Sequence, residues 1–341
     1  MKQNKKLILW LDEIGKDDGS LVGSKSANLG ELYQHSVKNS PFPGDYLKVP
    51  YGFAVTATAY RYFMEKNNLS KAIGDIVTSI DTADMQQLEQ KGRQVRQLIL
   101  VAQFPADLEK SIKDAYDELS VRLKHGEGEA DVAVRSSATV EDLPEASFAG
   151  QQDSFLHVRG YYELLEAVKK AFASLFTNRA ISYRVDRSFD HADLALSICV
   201  QEMVRSDRGT SGVVFTLDTE SGFRDMVIIN AAWGLGELVA QGAITPDEYK
   251  IFKPTLKKGF NGIISKKLGT KEKKLIYSIE GSETTKQVPV SAEDRHRFAL
   301  TDACILKLAR WATIIEHHYG SPMDIEWAYD AEIKELYIVQ A

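Results

Sequence analysis

Asp324 and Glu326 stand two residues apart in the run Met323-Asp-Ile-Glu-Trp327. On a β-strand that spacing puts both carboxylates on one face and turns Ile325 and Trp327 the other way, toward a core. Two carboxylates side by side repel each other unless a cation sits between them. Mg2+ suits such a pair, because it takes oxygen ligands and keeps waters and phosphates in its shell. The plain alternative is a polar strand face turned to solvent. A second candidate is Arg135. It follows a short apolar strand at 132–134 and opens into small, hydroxylated residues (Ser136, Ser137, Ala138, Thr139), with Glu141 and Asp142 behind them. Pro144 breaks the run, and Ser147, Ala149 and Gly150 leave the backbone thinly covered. A guanidinium fork beside bare N–H groups suits an anionic ligand such as phosphate. The alternative is a surface loop whose Arg pairs with Glu141 or Asp142. A third candidate is Gly23-Ser24-Lys25, which opens a helical pattern through Ala27, Leu29 and Leu32. Free N–H groups at a helix start beside a Lys can hold an anion; an exposed Lys after a turn is the other reading. It is not a Walker A loop, whose first glycine and spacing are missing.

Weaker signals follow. Gly234-Leu-Gly-Glu237 could bring a flexible backbone and a carboxylate to a ligand, but no third glycine completes a dinucleotide fingerprint. Asp247 and Glu248 invite a catalytic reading, and a turn role beside Pro246 fits equally well. The seven histidines lie in none of these stretches. Cys199 sits in a strand pattern and Cys304 in a helical one, and both read as reduced core residues in a reducing compartment.

These residues need elements to position them. The region 69–123 has helical periodicity with breaks near 79–83 and at Pro105, and its apolar residues read as packing. A single amphipathic helix is expected over 163–184, with Arg179 and Arg184 at its end pairing with carboxylates. Residues 186–193 read as a hinge. Strands are expected at 194–200, 211–217, 226–231 and 248–252, with edge strands at 263–265 and 275–278 around a solvated Lys-rich turn at 271–274. A helix over 302–319 and two closing strands, 323–329 and 335–340, end the chain. Ser291, with Asp294 three positions on, looks like a helix start.

At 341 residues the chain is long enough for two cores. A net charge of −6 argues against a dedicated nucleic-acid binder. No apolar run reaches the length of a membrane span, and the basic start followed by Asp12 and Glu13 does not read as a signal peptide.

Taken in order, several stretches resemble the phosphoenolpyruvate synthase (pyruvate, water dikinase) family, in its N-terminal ATP-binding domain. They are Val22-Gly-Ser-Lys-Ser-Ala-Asn-Leu-Gly-Glu-Leu32, Val49-Pro-Tyr-Gly-Phe-Ala54, the Arg135-Ser-Ser-Ala loop with Ser147-Phe-Ala-Gly-Gln-Gln152, Gln201-Glu-Met-Val204, Trp233-Gly-Leu-Gly-Glu237, Val239-Ala-Gln-Gly-Ala-Ile-Thr-Pro-Asp-Glu-Tyr249, Met323-Asp-Ile-Glu-Trp327 and Leu336-Tyr-Ile-Val-Gln-Ala341. The Arg-Ser-Ser-Ala loop is shared with pyruvate, phosphate dikinase and rifampicin phosphotransferase, so a related dikinase or antibiotic phosphotransferase is the runner-up, and a nucleotide-sensing module without turnover is the non-enzyme alternative. The resemblance implies an α+β, ATP-grasp-like fold of two lobes, 1–193 and 194–341, with the nucleotide cleft between them. It implies ATP as substrate with Mg2+, adenine contacts from Glu202, Met203 and Val204, a nucleoside contact from Glu237, phosphate contacts from Lys25, Arg135 and Gln340, and the metal on Asp324 and Glu326. It further implies the reaction ATP + pyruvate + water → AMP + phosphoenolpyruvate + phosphate, a cytoplasmic step of pyruvate metabolism and gluconeogenesis. The β,γ-diphosphate would pass first to a histidine on a separate domain. That phosphohistidine domain and the pyruvate-binding domain are expected downstream of this chain, whose last residues match a pattern that continues Gln-Ala-Arg-Pro. No nucleic acid or membrane partner is expected.

Overall fold

A computed structural model describes residues 6–35, 46–123, 128–139, 142–143, 146–147, 154–186, 195–278 and 284–341. The expected hinge falls mostly outside the described residues, as do Glu141, Pro144, Ala149 and Gly150. The chain forms two compact units, 1–31 with 51–203, and 32–50 with 204–341. They divide after Met203 rather than at the expected 193/194, because the strand at 196–202 pairs inside the first unit's sheet.

In the first unit the elements run β1 (Ile8–Trp10), α1 (Gly19–His35, whose last residues pass into the second unit), β2 (Gly52–Val55), α2 (Ala57–Lys66), α3 (Leu69–Val77), α4 (Met85–Val101), α5 (Ala106–Arg122), β3 (Asp131–Ala138), β4 (Asp142–Leu143), β5 (Ala146–Ser147), β6 (Ser154–Arg159), α6 (Tyr161–Ser174), α7 (Asn178–Asp186) and β7 (Leu196–Glu202). Five strands form an antiparallel sheet in the order β1-β2-β7-β3-β6. Strand alternation sends Phe53, Val55, Val134, Ile198 and Val200 to one face, where they join the helices in a single core. Phe172 of α6 anchors that core, 5.1 Å from Tyr60 and 5.4 Å from Phe63 of α2. Helix starts follow local chemistry: the Thr56 hydroxyl accepts from the Ala59 N–H, and the Asp84 carboxylate from the N–H groups of Gln86 and Gln87.

Two expectations change here. The single helix over 163–184 is two helices, because the chain turns at 175–177 and the Thr177 hydroxyl takes the Ala180 N–H at the start of α7. Arg184 has no carboxylate partner among the described residues; it lies 1% exposed over the Phe176 ring, and burial lowers its pKa to about 10.

The second unit contains β8 (Thr210–Phe215), β9 (Met226–Trp233), α8 (Glu237–Ala240), β10 (Asp247–Phe252), α9 (Lys253–Lys257), β11 (Ile263–Lys267), β12 (Lys273–Tyr277), β13 (Thr285–Pro289), α10 (Ala292–Arg295), α11 (Asp302–Tyr319), β14 (Asp324–Asp330) and β15 (Glu335–Gln340). Six strands pair antiparallel in the order β11-β10-β9-β8-β14-β15. Register places Ile325, Val214, Ile229 and Tyr249 in line on one buried face. The apolar side of α11, with Leu308, Trp311 and Ile315, packs on β8, β9 and β10. Lys253 of α9, 3% exposed, donates to both carboxylate oxygens of Glu316 at 2.7 Å and so ties α9 to α11.

The Lys-rich turn departs from expectation. β12 pairs with β13 as a separate hairpin, so of the two expected edge strands β11 alone joins the large sheet. Lys271 is fully buried and ion-paired with fully buried Asp247. The Asp247 carboxylate also accepts from the N–H groups of Gly269 (2.8 Å) and Ala299 (2.7 Å) and from the Tyr249 hydroxyl (3.2 Å). A buried carboxylate is tolerable only when satisfied this fully. Asp247 is thus a structural anchor that pins two loops.

Candidate functional site

Gly23 is where the first unit's anion-suited residues are assembled. Its φ of 73° and ψ of 161° interrupt α1, so the helical turn carrying Lys25 begins immediately after it. A Cβ at this position would lie 2.2 Å from the Ser137 hydroxyl oxygen. The backbone of α1 therefore rests directly on β3, and the Ser26 N–H donates to that same hydroxyl at 3.3 Å. Arg135 is two residues from Ser137 and shares its face of the sheet, opposite the apolar core. It sits within β3 rather than at a strand end, as the sequence had suggested, because pairing with β7 continues to Ala138↔Leu196. Ser136 and Ser137 are consequently strand residues, not a bare loop. Directly across from Arg135 is Cys199, whose thiol is pushed up to about 11 by burial against an opposing pull from the Arg135 charge. Lys25 and Arg135 thus belong to two elements locked together by Ser26 and Ser137.

At the end of β7, Glu202 and Met203 already use their main-chain donors. The Glu202 N–H bonds the Tyr51 carbonyl at 2.8 Å, and the Met203 N–H bonds the Asp131 carbonyl at 3.0 Å. Val204, the next residue, has no hydrogen-bond partner for its N–H among the described residues; its carbonyl accepts from Ser206.

In the second unit β14 places Asp324 opposite Phe215 and Glu326 opposite Val213, on the face away from Ile325 and Trp327. The last strand brings Gln340 directly across from Glu326. A bulge between Glu326 and Trp327 makes this possible: Ile338 pairs with Trp327 and stays buried while Gln340 joins the polar face. Asp324 retains contact with water, yet its carboxyl is raised above the usual range, first by partial desolvation and then by the Glu326 charge. A cation bound beside Asp324 would favour its ionised form. Among the described residues no three His, Cys, Asp or Glu side chains cluster to hold a metal alone. The two carboxylates fit Mg2+, which completes its shell with water and phosphate oxygens, and the Gln340 amide stands across from Glu326. Glu237 begins α8 after the Gly234 turn (φ 86°). The Ser211 hydroxyl donates to the Gly234 carbonyl at 2.6 Å. Ser211 is two positions from Val213 on β8, so the Gly234 turn is tied to the sheet face that carries Glu326.

Besides Glu202, Met203 and Val204 at the end of β7, the expected residues form two groups, Lys25 with Arg135, and Asp324, Glu326 and Gln340 with the turn that leads to Glu237. Sequence reasoning names Ser137 beside Arg135 but misses Ser26 and Ser211, which fix these groups, and Tyr51 and Asp131, which hold the 202–204 edge.

Residues 19–341 match the family described as pyruvate phosphate dikinase, AMP/ATP-binding domain. The chain is similar to the phosphoenolpyruvate synthase of Aquifex aeolicus, with 52% identity over 346 residues, covering 99% of this chain and 39% of that protein. It is similar to the phosphoenolpyruvate synthases of Synechocystis (51% identity) and Escherichia coli K12 (45% identity), each match covering 98% of this chain and 41% of the relative. It therefore spans about two fifths of the length of these relatives. A match that takes in almost the whole chain, including both groups of residues above, leaves one assignment: the chain belongs to the pyruvate phosphate dikinase AMP/ATP-binding domain family.

Proposed function

We propose that the chain binds MgATP and serves as the nucleotide-binding domain of a phosphoenolpyruvate synthase. The single observation that carries the reading is the shared strand face of Asp324, Glu326 and Gln340 in a chain of this family. Asp324 and Glu326 hold Mg2+, which would offset phosphate charge. Gln340 orients the phosphates beside them. Lys25 and Arg135 neutralise the charge that moves among the phosphate oxygens during transfer, a reaction that depends on positioning and electrostatics and needs no nucleophile in this domain. Glu237 addresses the nucleoside. Base contact comes from 202–204, and because the Glu202 and Met203 N–H groups are occupied, the donor left for the base is Val204 N–H. The finer architecture, an ATP-grasp-like pair of lobes with the nucleotide between them, rests on the resemblance, as does a cytoplasmic setting.

In the whole protein this domain would pass the β,γ-diphosphoryl group of ATP to a histidine of a downstream domain. Water then takes the γ-phosphate, and the β-phosphoryl group goes to pyruvate, giving AMP, phosphate and phosphoenolpyruvate. Calorimetry with a non-hydrolysable ATP analogue, with and without Mg2+, tests the binding step. The expected result is Mg2+-dependent heat; no heat and no thermal shift at millimolar analogue overturns the proposal.

A further inference from the structure

Two main-chain carbonyls occupy the Glu202 and Met203 donors, and both belong to residues whose side chains are held in place on the far side. Tyr51, whose carbonyl takes the Glu202 N–H, stacks on Trp10 with ring centroids 5.5 Å apart and planes 5° from parallel. Its hydroxyl donates to Asp12 at 2.9 Å and accepts from Arg122. The Arg122 guanidinium lies 4.5 Å from the Trp10 ring centroid and 5.3 Å from that of Tyr51, and is steered by Glu118 on the same helix. Asp131, whose carbonyl takes the Met203 N–H, is held by His157, with Nδ1 2.8 Å from its carboxylate. His157 adopts a φ of 57° beside an irregularity in the β3–β6 pairing, a conformation that costs free energy in a non-glycine residue. The preceding residue is fixed as well: the Ala130 carbonyl accepts from Tyr116 and its N–H donates to Ser120.

Trp10 and Tyr51 pack one side against the apolar core, with Trp10 edge-on to Phe53, whereas Arg122 and His157 lie outside it, and all four remain partly open to water. What they share is the end of β7. A carbonyl fixed on each side removes two of three consecutive donors and sets the direction of the third. We propose that the Trp10–Tyr51–Arg122 stack and the Asp131–His157 pair are positioning clamps for base recognition, with Arg122 and His157 as specificity-determining residues that never touch the nucleotide. They act by holding the 202–204 edge in the register where the Val204 N–H meets an acceptor on the base. A purine with N1 as acceptor, as in adenine, satisfies that donor; guanine presents a donor at the same position and does not. This inference rests on the nucleotide-binding reading above.

The test compares MgATP, MgGTP and magnesium tripolyphosphate by calorimetry on the full chain, for wild type, Arg122→Ala, His157→Ala and His157→Asn. Melting curves confirm that each variant is folded. Wild type should prefer ATP to GTP. Each Ala variant should lose roughly three- to tenfold of that preference while tripolyphosphate affinity stays within about twofold. His157→Asn, which tolerates positive φ and keeps a donor, should recover most of the preference. If wild type binds ATP but the ATP/GTP ratio is unchanged in Arg122→Ala and His157→Ala, the clamps do not set specificity. Equal loss of tripolyphosphate binding also overturns the inference, because it reports general damage. Failure of wild type to bind ATP overturns the nucleotide reading itself, and this inference with it.

Discussion

At the scale of single residues, burial and neighbours separate charged groups that look alike in sequence. Arg135 is partly buried on the polar face of β3, and Arg179 is exposed on α7. If Arg135 contacts phosphate, Arg135→Ala should cost about 1.5–3 kcal/mol of ATP affinity, the usual worth of a charge-assisted hydrogen bond. Arg179→Ala should stay within about 0.5 kcal/mol, as exposed charges do. Equal losses measured by calorimetry would move the phosphate contact away from Arg135. The carboxylate pair makes a second prediction, on pH. Asp324 has a raised pKa in the folded chain, from desolvation and then from Glu326. The unfolded chain therefore releases this proton first as pH rises. Between the ordinary Asp value and the raised one, the folded state binds more protons, so stability falls with increasing pH until Asp324 is ionised in both states. Mg2+ should abolish that slope by favouring the ionised form, and Asp324→Asn should lack it from the start. Melting temperature against pH, with EDTA or with Mg2+, checks this. Identical wild-type and Asp324→Asn slopes in EDTA would show that the pair is not strained. Glu326→Gln should shift the Mg2+ dependence of nucleotide binding to higher concentration with little change in melting temperature.

At the scale of elements, contacts between distant segments decide what local pattern cannot. Helices α4 and α5, the cap at Ser291 and the shared face of Asp324 and Glu326 were legible, because each depends on spacing of a few residues. Arg135 looks like a strand end in sequence because Ser136, Ser137 and Ala138 are strand only through their ladder with β7, which lies far along the chain. Lys271 looks like part of a solvated tip in sequence because its partner, Asp247, is 24 residues away. The use of the Glu202 and Met203 donors was likewise hidden, since Tyr51 and Asp131 reach them only in the folded sheet. The Asp247–Lys271 pair gives an element-scale prediction. Lys271→Met removes the cation and strands a buried carboxylate, which should cost about 3–5 kcal/mol of stability. Because this pair anchors loops and lies on neither group of candidate ligands, folded Lys271→Met protein should keep its affinity for MgATP. Denaturant melts and calorimetry below the transition measure both quantities. A variant as stable as wild type would deny the anchor role, and a folded variant that no longer binds ATP would place the pair nearer the nucleotide.

At the scale of the molecule, the question is how much of a phosphoryl-transfer cycle 341 residues can carry. The function proposed above assigns the triphosphate to cations on α1 and β3, carboxylates on β14 and an amide on β15. Of the described histidines only His35, the last residue of α1, shares an element with them. His157 is tied to Asp131, His296 to the carbonyl of Ala292, and His317 and His318 lie in the last turn of α11. The phosphoenolpyruvate synthases to which the chain is similar are more than twice as long as the matched segment. We therefore expect this chain, given ATP, Mg2+ and pyruvate, to bind nucleotide and to produce neither AMP nor phosphoenolpyruvate at a steady rate. Adding the remaining part of a homologous synthase in trans should start AMP formation, because an acceptor histidine then meets the bound triphosphate. Labelled ATP should leave its label on the added part as an acid-labile phosphohistidine. That formation should fail with Arg135→Ala in this chain, which links the transfer to the residue proposed to carry its charge. Sustained phosphoenolpyruvate synthesis by this chain alone, purified free of other kinases, would mean that acceptor and pyruvate site both lie within these residues, and the division of labour proposed for the two parts would be wrong.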